Sequence, residues 1–388
     1  MSRARILQIG KFYPPHMGGI ETHLEALCGE LRETFDVRVV AANHEAGSGS
    51  EVRAGVPVER VATVFSLGNA PVNPGLVRAI HEAAPDLIHI HLPHPGGVLA
   101  LRASRYRGPL VVTYHSDVVR QRIWNALFRP FLDDVLRRAR TIVATSPAYL
   151  ESSVVLRRHP ERCRVVPYGI PLRRFDTPDL DAVAAIRARY GPRLLLAVGR
   201  LVYYKGFDVL IRAMPSIDGR LLVIGEGPLR ASLQALARER GVADRVLFLG
   251  ELQNETAAPF FRAAAVFVLP SIARSEAFGI VQLESMASGT PVVNTALESG
   301  VPWVSPHGIT GLTVPPGDPV ALASAVNALL NDEGMRRRFG GAARARVRAE
   351  FDVSVMGNRI ARIYERALGA RARELAPTAV RSFSSAVD

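Results

Sequence analysis

The chain has 388 residues, of which 48% are hydrophobic and 22% charged, a composition that excludes a disordered protein. Its length exceeds what one hydrophobic core supports and predicts two domains. No apolar run approaches the roughly 18 residues of a membrane-spanning helix, and no secretory signal precedes the first predicted strand. The only cysteines, Cys28 and Cys163, are not spaced as a disulfide framework or a zinc ribbon, so we expect a reducing, cytoplasmic environment.

Positive charge is unevenly distributed along the chain. The formal net charge is +12, yet only Lys11 and Lys205 are lysines and all other basic residues are arginines. The segment from Arg102 to Arg164 alone carries 13 arginines against five acidic residues. Such a concentration of charge predicts contact with an anionic surface or ligand.

Short runs rich in Val, Ile and Leu alternate with amphipathic helical stretches. The predicted strands of the first half are ARILQIG, DVRVVAA, DLIHIH, LVVTYH, TIVATS and RCRVVPYG, and those of the second half are RLLLAVGR, RLLVIGEG, RVLFLGE, AVFVLPS, TPVVNT and GLTVPP. Nearly continuous apolar strands are typical of parallel sheets that helices cover on both faces. Two such series predict an α/β protein with two doubly wound, Rossmann-like domains.

The domain boundary is predicted in the Pro- and Gly-rich stretch 166–180, which also carries two adjacent arginines. We assign residues 1–172 to the first domain, 173–355 to the second, 356–375 to a long arginine-rich helix, and 376–388 to a disordered tail. Asp318, in a Pro-Pro-Gly-Asp stretch, is a predicted helix N-cap.

Ligands of parallel α/β sheets bind beyond the carboxyl ends of the strands. The first such loop, GKFYPPHMGGIETH, contains Lys11 and then Gly18 and Gly19, ahead of a helix predicted to open near Glu21. Amides at a helix start bind phosphate, although a tight turn with ordinary glycines remains an alternative. Whether Lys11 itself touches a substrate stays open at this point.

The second domain begins with a comparable loop, GRLVYYKGFDVL. Its cations Arg200 and Lys205 are expected to face the same cleft and suit a diphosphate. The next strand ends in GEGPLR, with Gly225 and Glu226, which is only a fragment of the dinucleotide-binding fingerprint. The missing glycine disfavours a nicotinamide-dependent dehydrogenase.

The most specific stretch is SEAFGIVQLESMASGTPVV. Glu276 is placed in a loop, a helix is predicted to open at Phe278, Gly279 and Ile280, and Glu284 follows about one and a half turns in. Amides of Gly279 and Ile280 would hold an anion, while the acids would hydrogen-bond sugar hydroxyls. The alternative is a helix with a solvated acid at each end.

These motifs together resemble the retaining, nucleotide-sugar-dependent glycosyltransferases of group 1 (GT4), and the resemblance covers nearly the whole chain. It implies the GT-B fold, in which two Rossmann-like domains face a cleft and the C-terminal helix crosses back to the first domain. It also implies residue roles: the E-x7-E motif of donor sugar and ribose binding falls on Glu276 and Glu284, the pyrophosphate clamp on Arg200 and Lys205, the glycine loop on Gly18 and Gly19, and the active-site histidine on His115.

The resemblance implies a hexosyltransferase of cell-surface polysaccharide synthesis, with a nucleotide-sugar donor and a lipid-linked or other glycan acceptor. GDP-mannose is the favoured donor, with UDP-hexoses as the alternative, and neither a metal nor another cofactor is expected. His115 and Glu276 are the predicted catalytic residues. For Lys11, Glu21 and His91 the prediction is either contact with the acceptor or no assigned role. Alternatives are a nucleotide-sugar epimerase or hydrolase and a non-catalytic nucleotide-sugar-binding protein.

Two patterns formally match metal sites. The acids Asp179 and Asp181 form a D-x-D sequence, but they lie before a predicted helix and are better explained by capping. His89, His91 and His94 have a spacing in which the first two share a strand face, as zinc ligands can. Because no acidic partner completes such a site, an acceptor-side or structural role is favoured.

The stretch 118–140, directly after His115, predicts a basic amphipathic helix. Its apolar residues are Trp124, Leu127, Phe128, Phe131 and Leu132, and its arginines include Arg120, Arg122, Arg129, Arg137 and Arg138. Such a helix suits an anionic membrane surface or a polyprenyl diphosphate acceptor, and packing on the first sheet is the alternative. Both hold if Trp124 faces outward and Phe131 inward. We expect a peripheral protein on the inner face of the cytoplasmic membrane, and no nucleic-acid binding.

Overall fold

The computed structural model describes residues 3–16, 18–43, 47–67, 70–117 and 122–375, and all structural statements below concern these residues. The strands of the first half are β1 (Arg5–Ile9), β2 (Asp36–Ala42), β3 (Gly49–Arg53), β4 (Val56–Val61), β5 (Phe65–Leu67), β6 (Ala70–Val72), β7 (Leu87–Leu92), β8 (Leu110–Tyr114), β9 (Thr141–Ala144) and β10 (Cys163–Val165). Its helices are α1 (Gly19–Leu31), α2 (Gly75–Ala83), α3 (Pro95–Ala103), α4 (Arg122–Arg138) and α5 (Pro147–Ser152).

The second half repeats the alternation. Its strands are β11 (Leu194–Val198), β12 (Arg220–Ile224), β13 (Val246–Gly250), β14 (Val266–Val268), β15 (Val292–Thr295) and β16 (Gly311–Val314). Its helices are α6 (Arg173–Asp176), α7 (Leu180–Tyr190), α8 (Phe207–Ala213), α9 (Arg230–Glu239), α10 (Asn254–Ala263), α11 (Val281–Ser288), α12 (Val301–Val304), α13 (Pro319–Asn331), α14 (Glu333–Glu350) and α15 (Val353–Leu375). Every strand predicted from the sequence is present.

Two separate sheets confirm the prediction of two doubly wound domains. In the described part of the chain, the first sheet has the order β10-β9-β8-β7-β1-β2-β4-β3 and is parallel except for β3, which pairs antiparallel with β4. The second sheet has the order β13-β12-β11-β14-β15-β16 and is parallel throughout. Strand order reverses between β1 and β7 in one sheet and between β11 and β14 in the other, which is where such sheets bind ligands.

Both faces of each sheet are buried, which explains the continuous apolar strands. Along β11, Leu194 and Leu196 join one core cluster, whereas Leu195 and Ala197 join the cluster on the opposite face. Each fully buried leucine contributes on the order of 2 kcal/mol through removal of its surface from water. In β7 all six side chains are buried, and two of them, His89 and His91, are polar.

The last helix, α15, packs on α1 and on strands β7 and β8 of the first sheet. Its Tyr364 is fully buried in the same core cluster as Leu24 and Leu27 of α1. The chain therefore crosses back to the first domain, as the family resemblance implied. The predicted tail, 376–388, lies outside the described residues.

Helix α4 packs on the first domain through a stripe at spacings of four, seven and eight residues. Phe128 and Leu132 lie against the core, and Val135 and Leu136 are completely buried. Phe131 stands at the edge of this stripe and is 38% exposed, so the expectation that it faces inward is wrong. Arg120 and the side chain of Trp124 lie outside the described part of the structure.

No described helix combines the length and the apolar character needed to cross a bilayer.

Candidate active site

The loops at the two reversal points face each other across a cleft. Gly19 begins α1 after β1, and Ile280 precedes α11 after β14. A Cβ atom at Gly19 would lie 3.4 Å from Cδ1 of Ile280. The glycine loop of the first domain therefore meets the helix start of the second domain at van der Waals distance.

The glycine loop differs slightly from its prediction. Helix α1 begins at Gly19, with Gly18 as its N-cap, rather than near Glu21. The Glu21 carboxylate folds back over Gly18, so that a side chain at that position would collide with it. Glu21 itself is buried in the first turn of α1, where a negative charge is favourable.

Cations from both domains approach His16 in this loop. Burial lowers the pKa of His16, and the positive charges of Lys11 and Arg200 lower it further. Burial also lowers the pKa of Lys11, against the opposing effect of the Glu21 carboxylate. The exposed Arg200 guanidinium makes no hydrogen bond or ion pair with any described residue. Lys11 and Arg200 thus place positive charge on opposite sides of the cleft.

Lys205 has a partner within the second domain. Its Nζ lies 2.5 Å from Oε2 of Glu276, and both side chains are largely buried. Ser271 donates a hydrogen bond of 3.1 Å to the same carboxylate oxygen. Burial works to lower the pKa of Lys205, but the Glu276 charge and its hydrogen bond outweigh it and raise the pKa. This pair draws the loop after β11 to the loop after β14.

Glu284 also has a charged partner, which sequence reasoning missed. Arg174 of α6 donates to its carboxylate in a partly buried ion pair. Burial raises the pKa of Glu284, and Arg174 opposes that shift. The only sequence signal for Arg174 was the pair of adjacent arginines in the predicted boundary segment.

The start of α11 presents free backbone donors. The helix begins at Val281, with Ile280 as N-cap, three residues later than the predicted opening at Phe278. Gly279 has φ of +71°, a conformation that favours glycine. No described residue accepts the amides of Gly279 or Ile280. Phe278 is buried beneath them against Tyr168 and Trp303.

The GEG stretch serves the packing of two strand ends. A Cβ atom at Gly225 would collide with the carbonyl oxygen of Gly199, so glycine permits the close approach of the two loops. The carbonyl of Glu226 accepts a 2.9 Å hydrogen bond from the amide of Leu201, and its carboxylate pairs with Arg230. Gly225 and Glu226 therefore shape the loop that carries Arg200.

His115 lies at the carboxyl end of β8 and is 1% exposed. Its Nε2 is 3.0 Å from Nδ1 of His91, and its Nδ1 is hydrogen-bonded to the hydroxyl of Tyr168 in the linker between the domains. Both ring nitrogens are thus engaged. Burial holds the pKa of His115 well below its usual value, so the ring is neutral at physiological pH.

One cluster of described residues has the geometry to hold a metal ion. Ring nitrogens of His23, His91 and His115 lie within 4.8 Å of one another, and burial lowers the pKa of all three imidazoles. His91 and His115 are already hydrogen-bonded to each other, whereas neither nitrogen of the buried His23 has a hydrogen-bond partner in the described part of the chain. This trio differs from the sequence-based candidates His89, His91 and His94.

Asp179 and His89, two of the other candidate metal ligands, have structural explanations. Asp179 is the N-cap of α7 and accepts a 2.9 Å hydrogen bond from the amide of Ala182, which confirms the capping interpretation. His89 is hydrogen-bonded to Tyr364 and Thr113. Asp318 caps α13, as predicted.

Comparison with known proteins decides the family. The Glycosyltransferase Family 4 profile matches residues 17–174, and the Glycosyl transferases group 1 profile matches residues 182–346. A D-rhamnosyltransferase, WbpZ, of Pseudomonas aeruginosa is 33% identical over 351 residues, which cover 89% of this chain and 92% of the relative. The chain belongs to the group 1, family 4 glycosyltransferases.

Other relatives of this glycosyltransferase support the assignment. The O-antigen chain mannosyltransferase C of Escherichia coli is 30% identical and covers 93% of this chain and 98% of its own. A GDP-mannose-dependent alpha-(1-6)-phosphatidylinositol monomannoside mannosyltransferase of Mycolicibacterium smegmatis is 32% identical and covers 87% of this chain and 92% of its own.

Solved structures confirm the GT-B fold of this glycosyltransferase. Sucrose-phosphate synthase from Thermosynechococcus elongatus superimposes with a TM-score of 0.81 at 25% identity, covering 95% of this chain and 100% of its own. HepE of Anabaena, in complex with UDP-glucose, superimposes with a TM-score of 0.79 at 21% identity over 94% of this chain and 100% of its own.

Proposed function

We propose that this glycosyltransferase transfers a hexose from a nucleotide sugar to a lipid-linked glycan of cell-surface polysaccharide synthesis, with retention of the anomeric configuration. One observation carries the proposal: on neighbouring strand ends of the second domain, the Arg200 guanidinium and the amides of Gly279 and Ile280 have no partner among the residues that the structure describes. A guanidinium and a helix start together suit a diphosphate.

These groups would act on the charge that develops when the glycosidic bond breaks. As the nucleoside diphosphate leaves, preorganised donors at Arg200 and the α11 start stabilise its negative charge. The acceptor attacks from the same face, and the leaving phosphate takes its proton. Lys205 and Ser271 both bind Oε2 of Glu276, which leaves Oε1 to accept from a sugar hydroxyl. Glu284, oriented by Arg174, is assigned to the ribose.

GDP-mannose is the favoured donor. Two relatives named above are mannosyltransferases, one of them GDP-mannose-dependent, and a third is a D-rhamnosyltransferase. D-rhamnose is mannose without its 6-hydroxyl. The shape of the pocket around carbon 6 of the sugar would therefore discriminate between GDP-mannose and GDP-D-rhamnose. A UDP-hexose is the alternative, which the structure of HepE in complex with UDP-glucose supports by analogy of fold.

A donor panel tests the reaction. Purified protein is incubated with GDP-mannose, GDP-D-rhamnose or UDP-glucose and a polyprenyl diphosphate-linked glycan, and both released nucleoside diphosphate and product linkage are measured. We expect GDP release and an α-linked product, together with at least tenfold loss in Arg200→Gln, since a charged hydrogen bond to the leaving group is removed. Arg212→Gln, an exposed change on α8, is the control. No release with any donor would favour the non-catalytic alternative, and an inverted linkage would exclude retention.

The proposed reaction needs no metal ion, because the cations and amides of the cleft already face the leaving group. We expect the transfer rate to be unchanged after dialysis against EDTA. A rate that falls with EDTA and returns with a divalent cation would contradict this point, and the His23, His91 and His115 cluster would then be the first place to look for the ion.

Helix α4 is proposed to hold the protein on the inner face of the cytoplasmic membrane. Phe131 is exposed on it, the Arg102 guanidinium stands 5.2 Å from the Phe131 ring centre, and Arg129 is half exposed. Apolar and cationic groups side by side suit anionic lipid headgroups.

Vesicle flotation tests this surface. We expect the protein to float with phosphatidylglycerol vesicles and not with phosphatidylcholine vesicles, and the variant Phe131→Ser/Arg129→Gln to lose most of that binding. The control, Val320→Ser/Arg337→Gln, makes the same kinds of change at residues of the second domain that are more exposed still. If both variants floated equally well, the proposal that α4 contacts the membrane would be contradicted.

A further inference from the structure

A buried row of hydrogen bonds runs beneath the site from α15 to the linker between the domains. We call it the Gln8 chain, and it consists of Tyr364, Gln8, His91, His115 and Tyr168. The Gln8 amide nitrogen donates to the Tyr364 hydroxyl at 2.8 Å, and its oxygen lies 3.0 Å from Nε2 of His91. The row continues from His91 to His115 at 3.0 Å, and from there to Tyr168.

The Gln8 amide, with its nitrogen towards Tyr364 and its oxygen towards His91, sets the direction of the hydrogen bonds in the Gln8 chain. Its oxygen only accepts, so His91 carries its proton on Nε2. His91 is 2% exposed and its two ring nitrogens face only His115 and the Gln8 oxygen, with no acidic partner among the described residues, so the ring is neutral and its Nδ1 accepts. His115 must then donate from Nε2, and its Nδ1 accepts the proton of the Tyr168 hydroxyl. With the Gln8 amide nitrogen towards Tyr364, as the structure places it, a single tautomer of His115 satisfies all of these partners.

We propose that Gln8, His91 and Tyr364 are positioning residues that hold His115 in its Nε2-protonated tautomer and fix the plane of its ring. The inference rests on the proposed role of His115 in transfer. None of the three residues touches the cleft: Gln8 and Tyr364 are fully buried, and His91 is 2% exposed. They act only through His115 and its other partner, Tyr168.

The Gln8 chain also joins elements that are far apart in the fold. Tyr364 comes from α15, Gln8 from β1, His91 from β7, His115 from the end of β8 and Tyr168 from the linker. The Tyr168 ring meets the Phe278 ring edge-on at 4.8 Å, directly beneath the start of α11. A shift of α15 or of the linker would therefore reach His115 and the donor loop together. Apolar side chains would pack these elements together equally well. The five hydrogen-bonded polar groups therefore indicate that the orientation and tautomer of His115 must be fixed.

The test removes one hydrogen-bonding group at a time from the far end of the chain. Tyr364→Phe keeps the ring and removes the hydroxyl, which bonds both Gln8 and Nδ1 of His89. Gln8→Met keeps the volume and removes the amide. Tyr106→Phe is the matched control, because it removes a hydroxyl that bonds the Pro109 carbonyl at the opposite end of the first sheet. Histidine ¹⁵N spectra of the full-length protein report the tautomer of His115, assigned with His115→Gln, and donor kinetics report kcat and KM.

We expect wild-type His115 to be protonated on Nε2. In Tyr364→Phe and Gln8→Met we expect mixed tautomers, with kcat lowered about threefold to tenfold, the effect of one buried hydrogen bond, and donor KM within about twofold. The control should change neither reading. A wild-type ring protonated on Nδ1 would overturn the inference, as would unchanged kcat in both variants. Because the spectra need no donor, the tautomer result stands apart from any failure of the proposed reaction.

Discussion

The Lys205 side chain is largely buried, and it stays positively charged because the Glu276 carboxylate lies beside it. Only 13% of the Lys205 side chain and 9% of the Glu276 side chain are exposed. Removing one member of such a pair leaves the other charge buried without a counter-ion, which costs far more than the pair contributes.

Lys205→Met should therefore reduce both stability and activity. The expected loss in free energy of unfolding is roughly 3 kcal/mol, because Glu276 stays buried and unpaired, and chemical denaturation measures it. Donor KM should rise as well, since the loops after β11 and β14 lose the contact that joins them.

The control for this change is Arg337→Met on α14. Arg337 pairs with Glu333 on an exposed helix face, where both side chains are mostly solvent-accessible. Surface pairs contribute little to stability, so denaturation of Arg337→Met should match the wild type. Equal effects of the two variants would show that the Lys205 pair is no more than a surface contact.

Sequence reasoning found residues at strand ends better than it found their partners. Lys205 and Glu276 were each placed in a cleft loop, because strand-end loops of a parallel sheet meet at one edge. Their pairing, and that of Arg174 with Glu284 across 110 residues of sequence, depends on the final approach of loops, which no local pattern encodes.

At the scale of elements, the start of α11 depends on Gly279. Its φ of +71° already disfavours a side chain. A Cβ atom there would also lie 2.7 Å from Cδ2 of Leu269 and 2.8 Å from Nε2 of Gln282. Gln282 in turn binds Asn294 of β15, so a displaced Gln282 would disturb the helix and its neighbouring strand together.

Gly279→Ala is expected to lower the free energy of unfolding by roughly 3 kcal/mol, about 1 from the left-handed backbone and the rest from overpacking. Nucleoside diphosphate binding should weaken too, because the Gly279 and Ile280 amides turn away. The measurements are chemical denaturation and calorimetric titration with GDP.

Gly317→Ala separates the two causes. Gly317 has φ of +77°, but nothing lies within 4 Å of the position of its Cβ atom. It should lose only the backbone contribution, about 1 kcal/mol, and bind GDP normally. If Gly279→Ala were no worse than Gly317→Ala, close packing at the α11 start would be contradicted.

The elements that sequence analysis missed share a physical cause. Strands β3 to β6 are absent from the predictions because β3 is an exposed antiparallel edge, β4 mixes buried with partly or fully exposed residues, and β5 and β6 have three residues each. The central strands were predicted because both of their faces are buried, which makes their sequences continuously apolar.

At the scale of the whole molecule, helix α15 from the last part of the described chain returns to strand β1 from its first part. Tyr364 of α15 binds Gln8 of β1 across 356 positions of sequence. The family resemblance supplied the returning helix, but composition and periodicity alone did not, because an amphipathic helix carries no record of the surface on which it packs. The same limit applies to the contact of Gly19 with Ile280 across the cleft.

That contact yields a prediction about the two domains. A leucine at position 19 would extend beyond the 3.4 Å that separates a Cβ atom there from Ile280, and the domains would have to separate. Gly19→Leu should increase the radius of gyration in small-angle scattering and lower kcat/KM by about 100-fold, since groups of both domains are displaced by an ångström or more. Gly29→Leu, on the same helix with nothing within 4 Å, should change neither. A loss of activity without a change in scattering would place the effect in the glycine loop alone.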